Sequence, residues 1–348
     1  MTPDRPRTRV LLSAARPASS GNPYVRLLAE SLRPEADVRF FDWRVALFSR
    51  YDVFHVHWPE HLTRGAGFLR TAAKSALFAL LLVVIMCRKT VVVRTLHNRA
   101  PHEQGSPVEK LLHRTLDAIT GSTIHLVPPS ADGMVGLRDV VVPHGHYRSE
   151  YLPVEPLRRA TGTLLYFGHV RPYKGVPRLC AQFRSLRRED LRLEVVGRPM
   201  NRRIADEVRA AAGDERRIRL TLAELSADDL SRALRDATLV VLPFEEFHNS
   251  GSVLLALSLN RPVLVPRSEA SVLLQREVGA EWVHTFTGPL TAEVIGRTYD
   301  AVADHAEEQG FAAVRFDGRD WSEVAASHLD VYRHAARDGE GHVRSDHP

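Results

Sequence analysis

The amino-acid sequence predicts an α/β protein built from two doubly wound, Rossmann-like domains. Three observations carry this. The chain has 348 residues, too many for one ordinary core and well suited to two. Short apolar runs alternate with amphipathic runs, and the series is played through twice. Between the two series lies SEYLPVEPLRRATG, a proline-rich polar stretch that reads as an interdomain linker.

The first series opens on RVLLSA, a buried strand toward Ala15. GNPYVRLLAESL follows as a loop and then a helix, with apolar spacing at Val25, Leu27, Leu28 and Leu32. VRFFDW, YDVFHVHW and TVVVRTLHN read as the next three strands, and STIHLVPPS and DVVVPHG close the half. Apolar runs that end in polar, Gly or Pro residues are the mark of buried parallel strands. The second series runs TLLYFGHV (strand), VPRLCAQFRSL (helix), LRLEVVG (strand), RIADEVRAAAG (helix) and IRLTLA (strand). It continues with DDLSRALRDA (helix), LVVLPF (strand), SVLLALSL (helix) and PVLVPR (strand). The expected divisions are residues 1–150, a linker at 151–162, a second domain at 163–318 and a final helix at 319–338. Two such domains leave a cleft, and ligands are expected in the loops after the strands.

Composition narrows the class. Hydrophobic residues make up 44%, enough for two cores, and charges are interspersed rather than gathered in a tail. The net charge is +5, carried almost wholly by arginine, since Lys74, Lys89, Lys110 and Lys174 are the four lysines. So mild an excess suits anionic small ligands or an anionic membrane surface. With no zinc-finger spacing and no aromatic RNA-binding motif, nucleic acid is not an expected partner. Cys87 and Cys180 lie far apart in apolar surroundings, read as buried thiols, and imply a reducing compartment. The N-terminus lacks the apolar core of a signal peptide, so a cytoplasmic location is expected.

Ser75–Cys87 is almost free of polar groups, and its 13 residues fall short of the roughly 20 that a transmembrane helix needs. It reads either as a core helix or as a helix lying in a membrane plane, with Arg64, Arg70, Lys74, Arg88 and Lys89 at the headgroups; the two can hold on different faces. Peripheral contact through residues 66–87, on the cytoplasmic face, is the corresponding expectation.

Two segments look equipped for chemistry. In YFGHVRPYKG, Gly168 lets a ligand approach the backbone, and His169, Arg171 and Lys174 precede Gly175 and a helix. A helix N-terminus flanked by Arg and Lys suits a diphosphate. In FEEFHNSGSVLLAL, Asn249, Ser250, Gly251 and Ser252 open an apolar helix, and Glu245 and Glu246 could accept hydrogen bonds from sugar or ribose hydroxyls. The plainer alternatives are a basic βα loop and an ordinary N-cap.

With these segments in view, the chain resembles the GT-B glycosyltransferases of the glycogen-synthase-like (group 1) class and their bacterial exopolysaccharide relatives. FGHVRPYKG is similar to that family's strand and Gly-Arg…Lys-Gly loop, VVPHG to the end of its first domain and LEVVG to its second Gly-ending strand, which adds Gly197. LSRALRDATLVVLPF resembles the helix and strand before its donor loop, and FDGRDWSEVAASHLDVYRHA its last helix, which the resemblance implies returns to the first domain. The resemblance implies a first domain that binds the acceptor and a second that binds a nucleotide-sugar. It puts Lys174 on the donor diphosphate and His169 at the usual arginine position, with Arg171 supplying the charge. The family's two glutamates, eight residues apart, fall on Phe247 and Leu255, so Glu245 or Glu246 stands in for the first and nothing for the second. Gly21 and Asn22 occupy the place of the Gly-rich loop facing the donor phosphates. His97 matches a histidine near the transferred sugar, while His57, Asn98 and His144 fall on the acceptor side. HVHWPE, TLHNRAPHE and NSGSVLLAL look most like bacterial enzymes that move mannose from GDP-mannose to a lipid-linked oligosaccharide.

The expected function is hexosyl transfer, mannose favoured, from a GDP- or UDP-sugar to a glycan, glycolipid or other hydroxyl. The chain has no D-x-D triplet, so neither metal nor cofactor is expected; cationic side chains and helix N-termini stabilise the leaving diphosphate. If the anomeric centre inverts, Glu60, His97 and Glu103 are the candidate bases. Two other readings stay open: a GT-B-fold nucleotide-sugar epimerase and a catalytically silent GT-B partner subunit.

Overall fold

A computed structural model describes residues 7–16, 23–97, 105–128, 138–245 and 251–341, with side chains described through residue 336. The chain forms two compact units, one of residues 1–145 with 318–348 and one of residues 146–317.

The first unit contains β1 (Thr8–Leu12), α1 (Tyr24–Leu32), β2 (Ala36–Phe40), α2 (Trp43–Phe48), β3 (Val53–Val56), α3 (Glu60–Thr63), α4 (Phe68–Arg88), β4 (Val91–Leu96), α5 (Pro107–Ala118), β5 (Thr120–His125) and β6 (Asp139–Val141). Its six strands are parallel in the order β2-β1-β3-β4-β5-β6. Val10, Leu11, Leu12, Phe54, Val56, Val92 and Val93 are buried, as a parallel sheet covered by helices requires. Asp42 caps α2 by accepting from the Arg44 amide, and Ser106 caps α5 by accepting from the Glu109 amide.

The second unit contains β7 (Thr163–Phe167), α6 (Val176–Ser185), β8 (Arg192–Val196), α7 (Arg202–Ala212), β9 (Ile218–Thr221), α8 (Ala227–Asp236), β10 (Leu239–Val241), α9 (Gly251–Ser258), β11 (Val263–Pro266), α10 (Glu269–Val278), β12 (Val283–Phe286) and α11 (Ala292–Glu308). Its strands are also parallel, in the order β12-β11-β10-β7-β8-β9. Chain succession reverses between β7 and β10, and in the first unit between β1 and β3; such switch points are where doubly wound sheets bind ligands. The last helix, α12 (Trp321–Gly341), belongs to the first unit and packs on α1, β4 and β5.

The structure departs from the expectations in four respects. The expected linker, 151–162, is packed within the second unit. The Leu152 amide donates to Ser231 Oγ, the Val154 and Leu157 carbonyls accept from Asn260 and from the Phe311 amide, and Thr161 pairs with Thr238. Its polar, proline-rich composition reflects a strap bonded by main-chain groups rather than a free tether. The apolar segment expected at 13 residues is part of the 21-residue α4. Thr71, Ala72, Ala73 and Lys74 break the apolar run but not the helix, which ends where Lys89 turns left-handed at φ 52°. Cys180 is buried but Cys87 is exposed, because α4 buries only the stripe of Phe78, Leu81, Leu82 and Ile85. Finally, the structure adds α2, α3, α5, α10, β12 and α11; VHTF and AEVIGRTYDAVADHAEE carry the strand and helix patterns that mark two of them.

Candidate functional site

In the second unit the loops after β7, β8 and β10 come together. A side chain at Gly197 would collide with the Gly168 carbonyl, so the β8 loop touches the β7 loop backbone to backbone. Gly175 has φ 66°, and a Cβ there would collide with the Pro243 carbonyl. The Glu245 amide donates to the Tyr173 carbonyl at 2.8 Å and ties the β10 loop to the β7 loop. Ser252 Oγ, in the first turn of α9, would lie 3.2 Å from a Cβ on Gly168. The expected donor residues Gly168, Gly197, Gly251 and Ser252 thus share one neighbourhood with Lys174.

Lys174 is half-buried, its Nζ 3.5 Å from the centre of the Phe244 ring and 5.2 Å from that of Tyr173. Burial, and then the nearby Arg171, lower its pKa to about 8. Among the described residues neither Lys174 nor Arg171 has a carboxylate partner. His169, Arg171 and Glu245 are exposed, and the His169 carbonyl accepts from Tyr166 Oη at 3.0 Å. The result is a small electropositive site whose charges no carboxylate among the described residues neutralises. Tyr147 braces it: its hydroxyl lies beside Gly251 and its amide donates to Ser258 Oγ at 3.0 Å.

In the first unit, β3 and β4 are followed directly by His57 and His97, whose Nδ1 and Nε2 are 3.1 Å apart. The ring of Trp58 stacks on His97 at 4.2 Å. Tyr24, at the start of α1, sets its ring against His57, His97 and His144, with centroids 5.8, 5.1 and 4.6 Å away. Behind them His55 bonds to Thr95 Oγ1 at 2.7 Å and to Tyr332 Oη of α12 at 2.8 Å. Burial holds these histidines neutral: the pKa of His57 falls to about 3 and those of His144 and His328 to about 4, while His55 and His97 lie well below the usual range. Glu60 is half-buried at the start of α3 and acts electrostatically on His113. Among the described residues no three His, Cys, Asp or Glu side chains group as metal ligands.

Gly21, Asn22, Asn98, Glu103, Glu246, Asn249 and Ser250 lie outside the described residues. The sequence reading did not single out Tyr24, Trp58, Tyr147, His55 or Tyr332. His328 and Tyr332 did leave a signal, two polar residues four apart on the inward stripe of an otherwise apolar-faced helix.

The family model "Glycosyl transferases group 1" matches residues 161–288. The chain is 39% identical over 342 residues to a GDP-mannose:glycolipid 4-beta-D-mannosyltransferase from Xanthomonas campestris pv. campestris, covering 96% of this chain and 95% of the relative. Among solved structures it is similar to sucrose-phosphate synthase from Thermosynechococcus elongatus, with TM-score 0.62 and 14% identity over 94% of this chain and 99% of that one. A putative UDP-N-acetylglucosamine 2-epimerase from Listeria monocytogenes is also similar, with TM-score 0.58 and 14% identity over 95% and 97% of the two chains. At such identities the structural likeness concerns the fold alone, and that fold serves both transferases and epimerases.

Proposed function

The chain belongs to the group 1 glycosyltransferases, and on that premise we propose that it moves mannose from GDP-mannose to a hydroxyl of a lipid-linked saccharide without a metal. One observation carries the donor half: the loop that holds Lys174 and Arg171, unneutralised by any described carboxylate, meets the first turn of α9 where Gly168 approaches Ser252. The choice of sugar, base and acceptor follows the 39%-identical relative.

In this reading the bond between mannose C1 and the β-phosphate oxygen breaks, and its electron pair leaves on GDP. The Lys174 ammonium, the Arg171 guanidinium and the amides at Gly251 and Ser252 stabilise that charge. The acceptor oxygen forms the new bond to C1 and gives up its proton. GDP-mannose holds its sugar as the α anomer, and a β product like the relative's requires inversion, hence a base drawn from Glu60, His97 and Glu103.

The lipid part of the acceptor fits the outer face of α4. Phe68 and Leu69 are 84% and 81% exposed, and Leu80, Val83 and Met86 follow on the same face; Phe48 of α2 and Val108 and Leu111 of α5 are exposed as well. No acidic residue occurs between Glu60 and Glu103, while Arg70 and Lys89 are exposed at the two ends of the helix. The whole reads as an in-plane contact with an anionic cytoplasmic leaflet.

The test is incubation with radiolabelled GDP-mannose and a polyprenyl-diphosphate-linked oligosaccharide in EDTA. The expected outcome is label in the lipid phase, released by a β-mannosidase. Label that stays in a C2-epimerised nucleotide sugar would sink the transferase mechanism in favour of an epimerase. Donor left unconsumed would point to a silent partner subunit.

A further inference from the structure

We propose that His57 is a positioning residue that fixes the tautomer of His97. Its Nδ1–H donates to His97 Nε2, so that His97 carries its own proton on Nδ1 and offers the substrate a hydrogen-bond donor rather than a base. That the recipient is a sugar hydroxyl or a phosphate oxygen rests on the transferase reading above; the tautomer does not.

His57 Nδ1 and His97 Nε2 are 3.1 Å apart, so one of the two carries the shared hydrogen. If His97 were the donor, neutral His57 would have to carry its own proton on Nε2. That atom is fully buried and has no hydrogen-bond partner among the described residues, so an N–H would be stranded there. If His57 is the donor, its buried Nε2 is a bare lone pair, which proteins tolerate far more readily than an orphaned N–H. Escape by protonating both nitrogens of His57 is closed by the burial that keeps the ring neutral.

The same choice is visible where the chemistry leaves no freedom. His328 Nδ1 lies 2.7 Å from the Val324 carbonyl, which can only accept, so its proton sits on Nδ1. Its Nε2 is also buried without a partner, and there it is necessarily the bare nitrogen. This cluster therefore already holds one buried histidine lone pair, and His57 repeats the arrangement.

Once His97 Nε2 accepts, the neutral ring has only Nδ1 left for its proton, and Nδ1 has no partner among the described residues. Trp58 stacked at 4.2 Å and Tyr24 edge-on at 5.1 Å hold the ring in plane. His57 is itself held by its amide bond to Ser13 Oγ at 2.9 Å and by His55, 4.2 Å away ring to ring. On this assignment the candidate bases narrow to Glu60 and Glu103.

The test is a long-range proton–nitrogen NMR spectrum of the unliganded protein labelled with ¹⁵N-histidine near pH 7.5, with His97 assigned by its loss in His97→Gln. The expected spectrum shows a protonated Nδ1 and a bare Nε2 on His97; a protonated Nε2 there overturns the proposal. It is read without ligand, so failure of the GDP-mannose assignment leaves it decisive. A second arm compares two variants in mannosyl transfer. Asparagine places an amide nitrogen as many bonds from the backbone as Nδ1, whereas glutamine places it one bond farther, at the distance of Nε2. His57→Asn is expected to retain a kcat at least about tenfold above His57→Gln, with donor KM similar in both. Equal losses in kcat would overturn the proposal.

Discussion

Lys174 is held between opposing demands. The Phe244 ring and partial burial strip water from its ammonium and bring its pKa to about 8, while a bound diphosphate would favour the charged form. The sign is set by the lowered value: the charge is present below about pH 8 and lost above it. Donor KM should therefore rise, by up to about tenfold between pH 8 and pH 9, and Lys174→Ala should flatten that limb. A steady-state pH profile of both proteins checks this. Gly175→Ala should cost about 1–3 kcal/mol, because the left-handed backbone and the Pro243 carbonyl both oppose a Cβ; thermal unfolding measures it. The lysine was legible in sequence because it is one of four and stands in a Gly-bounded loop after a strand. Tyr147 was not, because its role depends on meeting Ser258, 111 residues away, which only the folded second unit brings about.

The element that sequence reading measured least well is α4. An apolar run can be counted, but a helix continues through alanine, threonine and lysine as readily as through leucine, so composition understated its length. The structure divides its faces. Leu81 is buried in a core with Phe54, Phe78 and Leu116, whereas Leu80, one residue earlier, is half exposed. Leu81→Ala should destabilise by about 2–5 kcal/mol and Leu80→Ala by less than about 0.5 kcal/mol, as denaturant titration would show. The basic flanks also divide. Lys74 bonds the His61 and Arg64 carbonyls, and Arg88 those of Ser49 and Leu47, so these two brace the fold. The double variant Phe68→Glu, Leu69→Glu should cosediment several-fold less with phosphatidylglycerol vesicles while keeping its melting temperature. Unchanged sedimentation would contradict the membrane reading of this face.

At the scale of the molecule, both parallel sheets could be read from the repeated strand–helix pattern, and the return of the last helix from the resemblance of its sequence to the family's. The histidine cluster could be read only in part: His57, His97 and His144 stood out at strand ends, but nothing among the 17 histidines showed that they pack around Tyr24 or that His55 and His328 join them at Tyr332. That cluster sets the response to acid. Folded pKa values below the unfolded value mean that the unfolded chain binds more protons, so stability falls as pH drops from about 6.5 toward 4. Each of these histidines costs stability as the pH falls through that window, so the cluster makes the first unit acid-sensitive. Hydrogen exchange at pH 5 should show β3, β4 and α12 losing protection before β7 and β8. The account as a whole rests on a metal-free grip of the donor diphosphate by the Gly168–Gly175 loop, and calorimetric titration of GDP in EDTA tests it most directly. The wild-type protein should bind GDP, and Lys174→Ala should bind it about 10- to 100-fold more weakly. Equal affinities in the two proteins, or binding that appears only when a divalent cation is added, would contradict it.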